Sequence, residues 1–179
     1  MKRMVVAALV TTLIGLPTLA PAQGKPQTEP KETCTASAPP PPEFAGWEKP
    51  VDLPAARRVS DLPKAQITPG KPIMAGFAPV TEVQYRVPPQ KADGPQVFGG
   101  LYSLKITKAG TYRVVAGAAP WMDIFADTPT PIRSTAHGHG PPCTGLGKYV
   151  DFPLQPGDYL VQFSESLKPT TEIMVAMVP

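Results

Sequence analysis

Both histidines of the chain and one of its two cysteines fall inside a single stretch, "STAHGHGPPCTGLGKY", residues 134–149. Imidazole nitrogens and a thiolate are good ligands for zinc, copper or iron. His137 and His139 are spaced so that, on a strand, both would point to the same side. Cys143, as a thiolate, would make a third ligand, and Asp123, Asp127 or Asp151 could be brought up by folding as a fourth. That use requires a reduced Cys143. The second cysteine, Cys34, competes for it, because two cysteines in an exported chain read as one disulfide closing a loop of about 110 residues. Glycines at 138, 140, 145 and 147, with Pro141 and Pro142, also suit an exposed loop with no ligand at all. The disulfide loop is the reading adopted, with the metal set His137, His139 and Cys143 as its rival.

Other chemistry is thinly supported. Ser134 and Ser164 lack a G-x-S-x-G context, and no phosphate-cradling or dinucleotide fingerprint occurs; Gly99-Gly100 precedes a strand, not a helix. Asp123 and Asp127 could flank a sugar, but their separation is not given by sequence. Trp47, Trp121 and Phe125 could form a stacking platform for a sugar or an aromatic ligand, against the competing role of filling a core.

The segments that must position these residues are marked by composition. Lys2 and Arg3 precede an apolar run from Met4 to Leu19 and the triplet Ala20-Pro21-Ala22, which reads as a secretory signal peptide over residues 1–22, cut before Gln23. Removing it lowers the basic residues from 17 to 15 against 14 acids, a formal charge of +1. With Arg57-Arg58 as the only adjacent basic pair left, nucleic acid is excluded as a partner. Cys34 stands too far from the apolar run for a lipid anchor, and no later segment is long enough to span a bilayer, so no stable membrane anchor follows cleavage. Residues 23–42 read as a proline-rich disordered linker. Residues 43–64 read as an irregular segment wrapped over the core, with Trp47 as its anchor.

From residue 65 onward the pattern is β. "LYSLKIT" places Tyr102, Leu104 and Ile106 on one face, and "TYRVVA" does the same with Tyr112, Val114 and Ala116. "KYVDFPL" alternates through Val150, Phe152 and Leu154, and "YLVQF" through Tyr159, Val161 and Phe163. Lys108-Ala109-Gly110 and Pro156-Gly157-Asp158 read as hairpin turns, and Pro153 as an edge or bulge position. Further strands are expected at "KPIMAGF", "TEVQYRV", "PWMDIFAD", "PIRSTA" and "TEIMVAMV". Seven to nine short strands without a capped helical period give an all-β fold: an antiparallel, jelly-roll-like β-sandwich over residues 65–179 with an irregular proline-rich extension.

Two resemblances rest on these residues. The "AGTY" and "PGDY" turns and the strands around them resemble the pre-peptidase C-terminal β-sandwich modules of secreted bacterial proteins, which implies a role in binding. The whole chain resembles short exported bacterial proteins that share an "STAHGHGPxC" loop and are described as homogentisate 1,2-dioxygenases. That second resemblance implies non-haem iron held by two histidines and a glutamate. The sequence departs from such a site: Cys143 stands where the first cupin motif places its glutamate, and no histidine follows His139.

The sequence therefore points to a periplasmic or secreted, non-catalytic binding or structural module without a cofactor. Its partner would be a small molecule, a glycan or another exported protein. The alternative is a mononuclear iron, copper or zinc protein, dioxygenase-like, using His137 and His139.

Overall fold

A computed structural model describes residues 34–89 and 97–179; the signal peptide expected over residues 1–22 and residues 23–33 of the expected linker lie outside the described residues. Eleven strands occur among the described residues: β1 (Val51–Pro54), β2 (Gln66–Ile67), β3 (Ile73–Gly76), β4 (Ala78–Pro79), β5 (Phe98–Ile106), β6 (Gly110–Ala116), β7 (Trp121–Phe125), β8 (Ala136–His139), β9 (Lys148–Leu154), β10 (Gly157–Ser166) and β11 (Thr170–Val178). They form a six-stranded sheet in the order β1-β3-β11-β6-β9-β8 and a five-stranded sheet containing β2-β5-β10-β7, with β4 also on β5. The fold is the all-β sandwich the alternation predicts. Most pairings are antiparallel, but β1 runs parallel to β3 and β2 parallel to β5.

Alternation decides what lies between the sheets. Tyr112, Val114, Val150, Phe152, Leu154, Ile173 and Val175 of the six-stranded sheet meet Tyr102, Leu104, Ile106, Ile124, Val161 and Phe163 of the other in one buried core. Phe163 is its aromatic centre: Tyr102 packs edge-on to it with ring centroids 5.9 Å apart, and Phe77 lies tilted at 5.7 Å. Such edge and tilted geometries are the favoured ones for aromatic pairs.

The two expected hairpins are not hairpins. β5 bonds to β10 and β6 to β9 and β11, so the connections β5-to-β6 and β9-to-β10 each cross from one sheet to the other. Gly110 lies opposite Leu154 in one sheet and Gly157 opposite Ile106 in the other, which sets the two crossings side by side. Each is latched by the same device. Tyr112 Oη donates to the Lys108 carbonyl at 2.8 Å, and Tyr159 Oη donates to the Gln155 carbonyl at 2.8 Å while accepting from the Gln155 N–H at 3.1 Å. The G-x-Y turns are thus tyrosine-held corners between sheets. Pro153 fits its edge expectation: β8 pairs with β9 only as far as Asp151, leaving Pro153 bonded on one side, to β6.

Elsewhere the strand expectations shift. "TEVQYRV" forms a 3-10 turn, Val80–Glu82, and then an irregular stretch across the five-stranded sheet. Tyr85 Oη donates to the Phe163 carbonyl at 3.1 Å, and Gln162 Nε2 donates to the Val87 carbonyl at 2.8 Å, which ties this stretch to β10 through side chains instead of a ladder. "PIRSTA" stays irregular up to Ala136, where β8 begins.

The linker and wrapping segments form a further layer. Cys34 is bonded to Cys143, and the Ala38 N–H donates to the Cys143 carbonyl at 2.8 Å, so residues 34–42 are tied down where a disordered linker was expected. A 3-10 turn over Pro42–Phe44 follows. Phe44 and Trp47 then pack with Val115, Met174, Ala176 and Leu146. Val115 stands opposite Met174 in the ladder, on the side of the six-stranded sheet away from the main core. Trp47 is the expected anchor, while the rest of the segment is more regular than expected, containing β1 and a 3-10 helix at Val59–Lys64.

Candidate functional site

The sandwich has one side where two edge strands of opposite sheets face each other: β7 ends the five-stranded sheet and β8 the six-stranded one. The connection between them folds back, with the Ile132 N–H donating to the Ile124 carbonyl at 2.7 Å and the Thr135 N–H to the Asp151 carbonyl at 2.9 Å. Between these elements lies a cleft of about 450 Å³, within the range of small-ligand sites. Met122, Pro131, Ile132, Val150 and Phe152 give it apolar walls, and Trp121, Asp123, Arg133, Ser134, His137 and Lys148 bring polar groups to it.

Trp121 is a fixed plate in this cleft. It is 47% exposed. Its indole N–H donates to Asp123 Oδ2 at 2.9 Å, and Lys148 Nζ lies 5.3 Å from its ring centroid, a cation–π distance. Lys148 is itself held by donating to the Pro120 carbonyl at 3.0 Å. Asp123 and Trp121 project to the same side of β7 because they are two residues apart. Burial raises the Asp123 pKa above the usual carboxylate value, opposed by the indole hydrogen bond; burial likewise lowers that of Lys148. Both shifts show charged groups partly withdrawn from water beside an aromatic face.

The aromatic platform proposed from sequence is not assembled. Trp121 lines the cleft, but Phe125 is fully buried in the main core and Trp47, 4% exposed, lies under the outer layer of the other sheet. Large apolar surfaces are worth more buried than displayed, and two of the three aromatics follow that rule.

The metal set fares similarly. Cys143 carries no thiolate, because its sulfur is bonded to Cys34, and both described cysteines are accounted for by this bond. The register sets His137 opposite Val150 and His139 opposite Lys148, one side of β8 as H-x-H spacing requires. The two nevertheless border different cavities: His137 the cleft, His139 a second one of about 420 Å³ with Pro41, Phe44, Arg113 and Tyr149. Of the proposed fourth ligands, Asp151 is taken by a bidentate pair with Arg113 at 2.7 and 2.8 Å, and Asp123 by the indole. Among the described residues no three His, Cys, Asp or Glu side chains converge. The two-histidine, one-carboxylate iron site implied by the dioxygenase resemblance does not fit this arrangement.

The histidine loop is instead built for packing. Cys143 has φ +63°, a left-handed value that costs a non-glycine residue energy and that the surrounding turn enforces. Thr144 Oγ1 donates to the Pro141 carbonyl at 2.7 Å and accepts from the Leu146 N–H at 3.2 Å. Gly145, at φ +77°, sits against Trp47, where a Cβ would come within 3.2 Å of the indole nitrogen.

Sequence reasoning offered Trp121, Asp123 and His137 as candidates and set Ser134 aside, but raised neither Lys148 nor Arg133. The signal for Lys148 was present: it shares the Val150 and Phe152 face of β9, the only charged residue on that face. Arg133 had none, since it lies in an irregular connection.

No helix among the described residues is long and apolar enough to cross a membrane. No protein-family model matches the chain, and no curated protein matches it.

Proposed function

We propose that this is an exported, non-catalytic binding module that holds a small ring-bearing molecule or a terminal glycan unit in the cleft between β7, β8 and β9. The observation that carries the reading is Trp121: a tryptophan with nearly half its surface exposed, locked by Asp123 and Lys148 at the mouth of a cleft with apolar walls. An indole displayed and immobilised in this way loses little freedom when a ring stacks on it, which is how a preorganised site gains affinity. The disulfide and the signal-like first 22 residues support export to an oxidising compartment, periplasmic or extracellular. The resemblance to pre-peptidase C-terminal modules supports binding over catalysis.

The chain has two tryptophans, one buried and one at the cleft, which makes fluorescence a direct test. A panel of neutral and acidic oligosaccharides should include ligands that change the emission saturably, with the ligand recovered chemically unchanged. By calorimetry, which does not depend on the indole as reporter, Trp121→Ala should abolish binding and leave the unfolding transition nearly unmoved, because the side chain is half-exposed. Binding that persists undiminished in Trp121→Ala would place the site elsewhere.

A further inference from the structure

The charges around the cleft are unequally committed. Asp123 uses Oδ2 to accept the Trp121 N–H, leaving Oδ1 as an acceptor. Arg133 and Lys148 line the same cleft, and among the described residues neither is in an ion pair. Glu165 lies near enough to act on Asp123 and Lys148 through space but does not line the cleft. Two cations without a carboxylate partner, Arg133 and a Lys148 that spends one N–H on the Pro120 carbonyl, therefore flank one engaged carboxylate beside a flat aromatic face. Ser134 and His137 add further hydrogen-bonding groups on the same rim.

We infer that the cleft recognises an acidic sugar, a pyranose ring bearing a carboxylate, as in a uronate unit of an oligosaccharide. The C–H face of such a ring suits the free face of Trp121. Its carboxylate suits Arg133 and Lys148, since a guanidinium bonds a carboxylate with two parallel N–H donors. Its hydroxyls give Asp123 Oδ1, Ser134 and His137 partners that a simple inorganic anion would not supply. This inference rests on the binding-module reading and adds to it the chemical class of the ligand.

The test compares a galacturonate trimer with a neutral galactose trimer on the oxidised protein, using calorimetry, which reads the Trp121→Ala variant as well as the parent. The uronate should bind at least about tenfold more tightly, with affinity falling as salt is raised because an exposed cation contributes. Arg133→Gln, a change at an exposed loop residue that does not threaten folding, should weaken the uronate roughly tenfold more than it weakens the neutral trimer. Dextran sulfate serves as a control for charge alone. Equal binding of the two trimers, both lost in Trp121→Ala, would overturn the acidic-sugar inference and leave the binding module standing. Uronate binding insensitive to both Trp121→Ala and Arg133→Gln, or binding of dextran sulfate with the same dependence on Arg133, would also overturn it. Failure of the galacturonate trimer to bind at millimolar concentration would remove the inference as well, while other ring ligands that change the Trp121 emission would keep the module reading.

Discussion

The two faces of the six-stranded sheet are covered by different means. Its inner face meets a second sheet, and the residues that do the covering arrive by simple alternation along β5, β7 and β10. Its outer face is covered by a short layer, residues 34–47 and 141–146, that has no ladder of its own to the sheet. Phe44, Trp47 and Leu146 there pack on Val115, Met174 and Ala176, and beyond them the face is closed by the Arg113–Asp151 pair, with the guanidinium 3.9 Å from the Tyr149 ring centroid. A sheet face that receives another sheet is stabilised by many strands at once. A face covered by loops needs a covalent tie, because a short irregular segment buries too little to offset the entropy of ordering it.

Four measurements would break or sharpen this contrast. Phe152→Ala, which empties a fully buried position on the inner face, should lower stability by about 3–5 kcal/mol in urea unfolding, as one cooperative loss. Replacing Cys34 and Cys143 together by alanine should cost about 2–4 kcal/mol, with increased binding of a hydrophobic dye as the outer layer loosens. If the cross-link holds that layer, Phe44→Ala should cost less in the cysteine-free chain than in the parent, a coupling of about 0.5 kcal/mol or more; strict additivity would show that packing alone holds it. Among single substitutions the smallest loss of stability is at the corners. Tyr112→Phe should cost about 1 kcal/mol by removing the hydroxyl from the Lys108 carbonyl, and Tyr159→Phe less, because its bonds to Gln155 are open to solvent.

Much of the inner face was legible in the sequence, and the residues show why. Tyr112, Val114 and Ala116, like Val150, Phe152 and Leu154, declare a buried side through their period of two. That period says nothing about which strand lies alongside, so the G-x-Y turns looked like hairpins when they are crossings between sheets. The disulfide was legible because two cysteines, in a chain whose first residues read as an export signal, leave one pairing. Trp121 was legible as an aromatic but not as the exposed one, since exposure follows from β7 being an edge strand, and edges are set by the whole topology. The cleft itself combines β7, a connection without any pattern, and β9, more than twenty residues apart in sequence. Only folding brings Asp123, Arg133 and Lys148 together.

The position of β11 carries a consequence for how such a chain is made. This strand is the latest in chain order, yet it lies between β3 and β6 near the middle of its sheet. β1 and β3 therefore have no bond to the remainder of that sheet until residues 170–178 emerge. A chain that folds from its first strands onward would leave β1 and β3 apart from the rest of this sheet until β11 is in place. For the same reason, trimming its final nine or ten residues should separate the sheet into two pieces instead of fraying an edge.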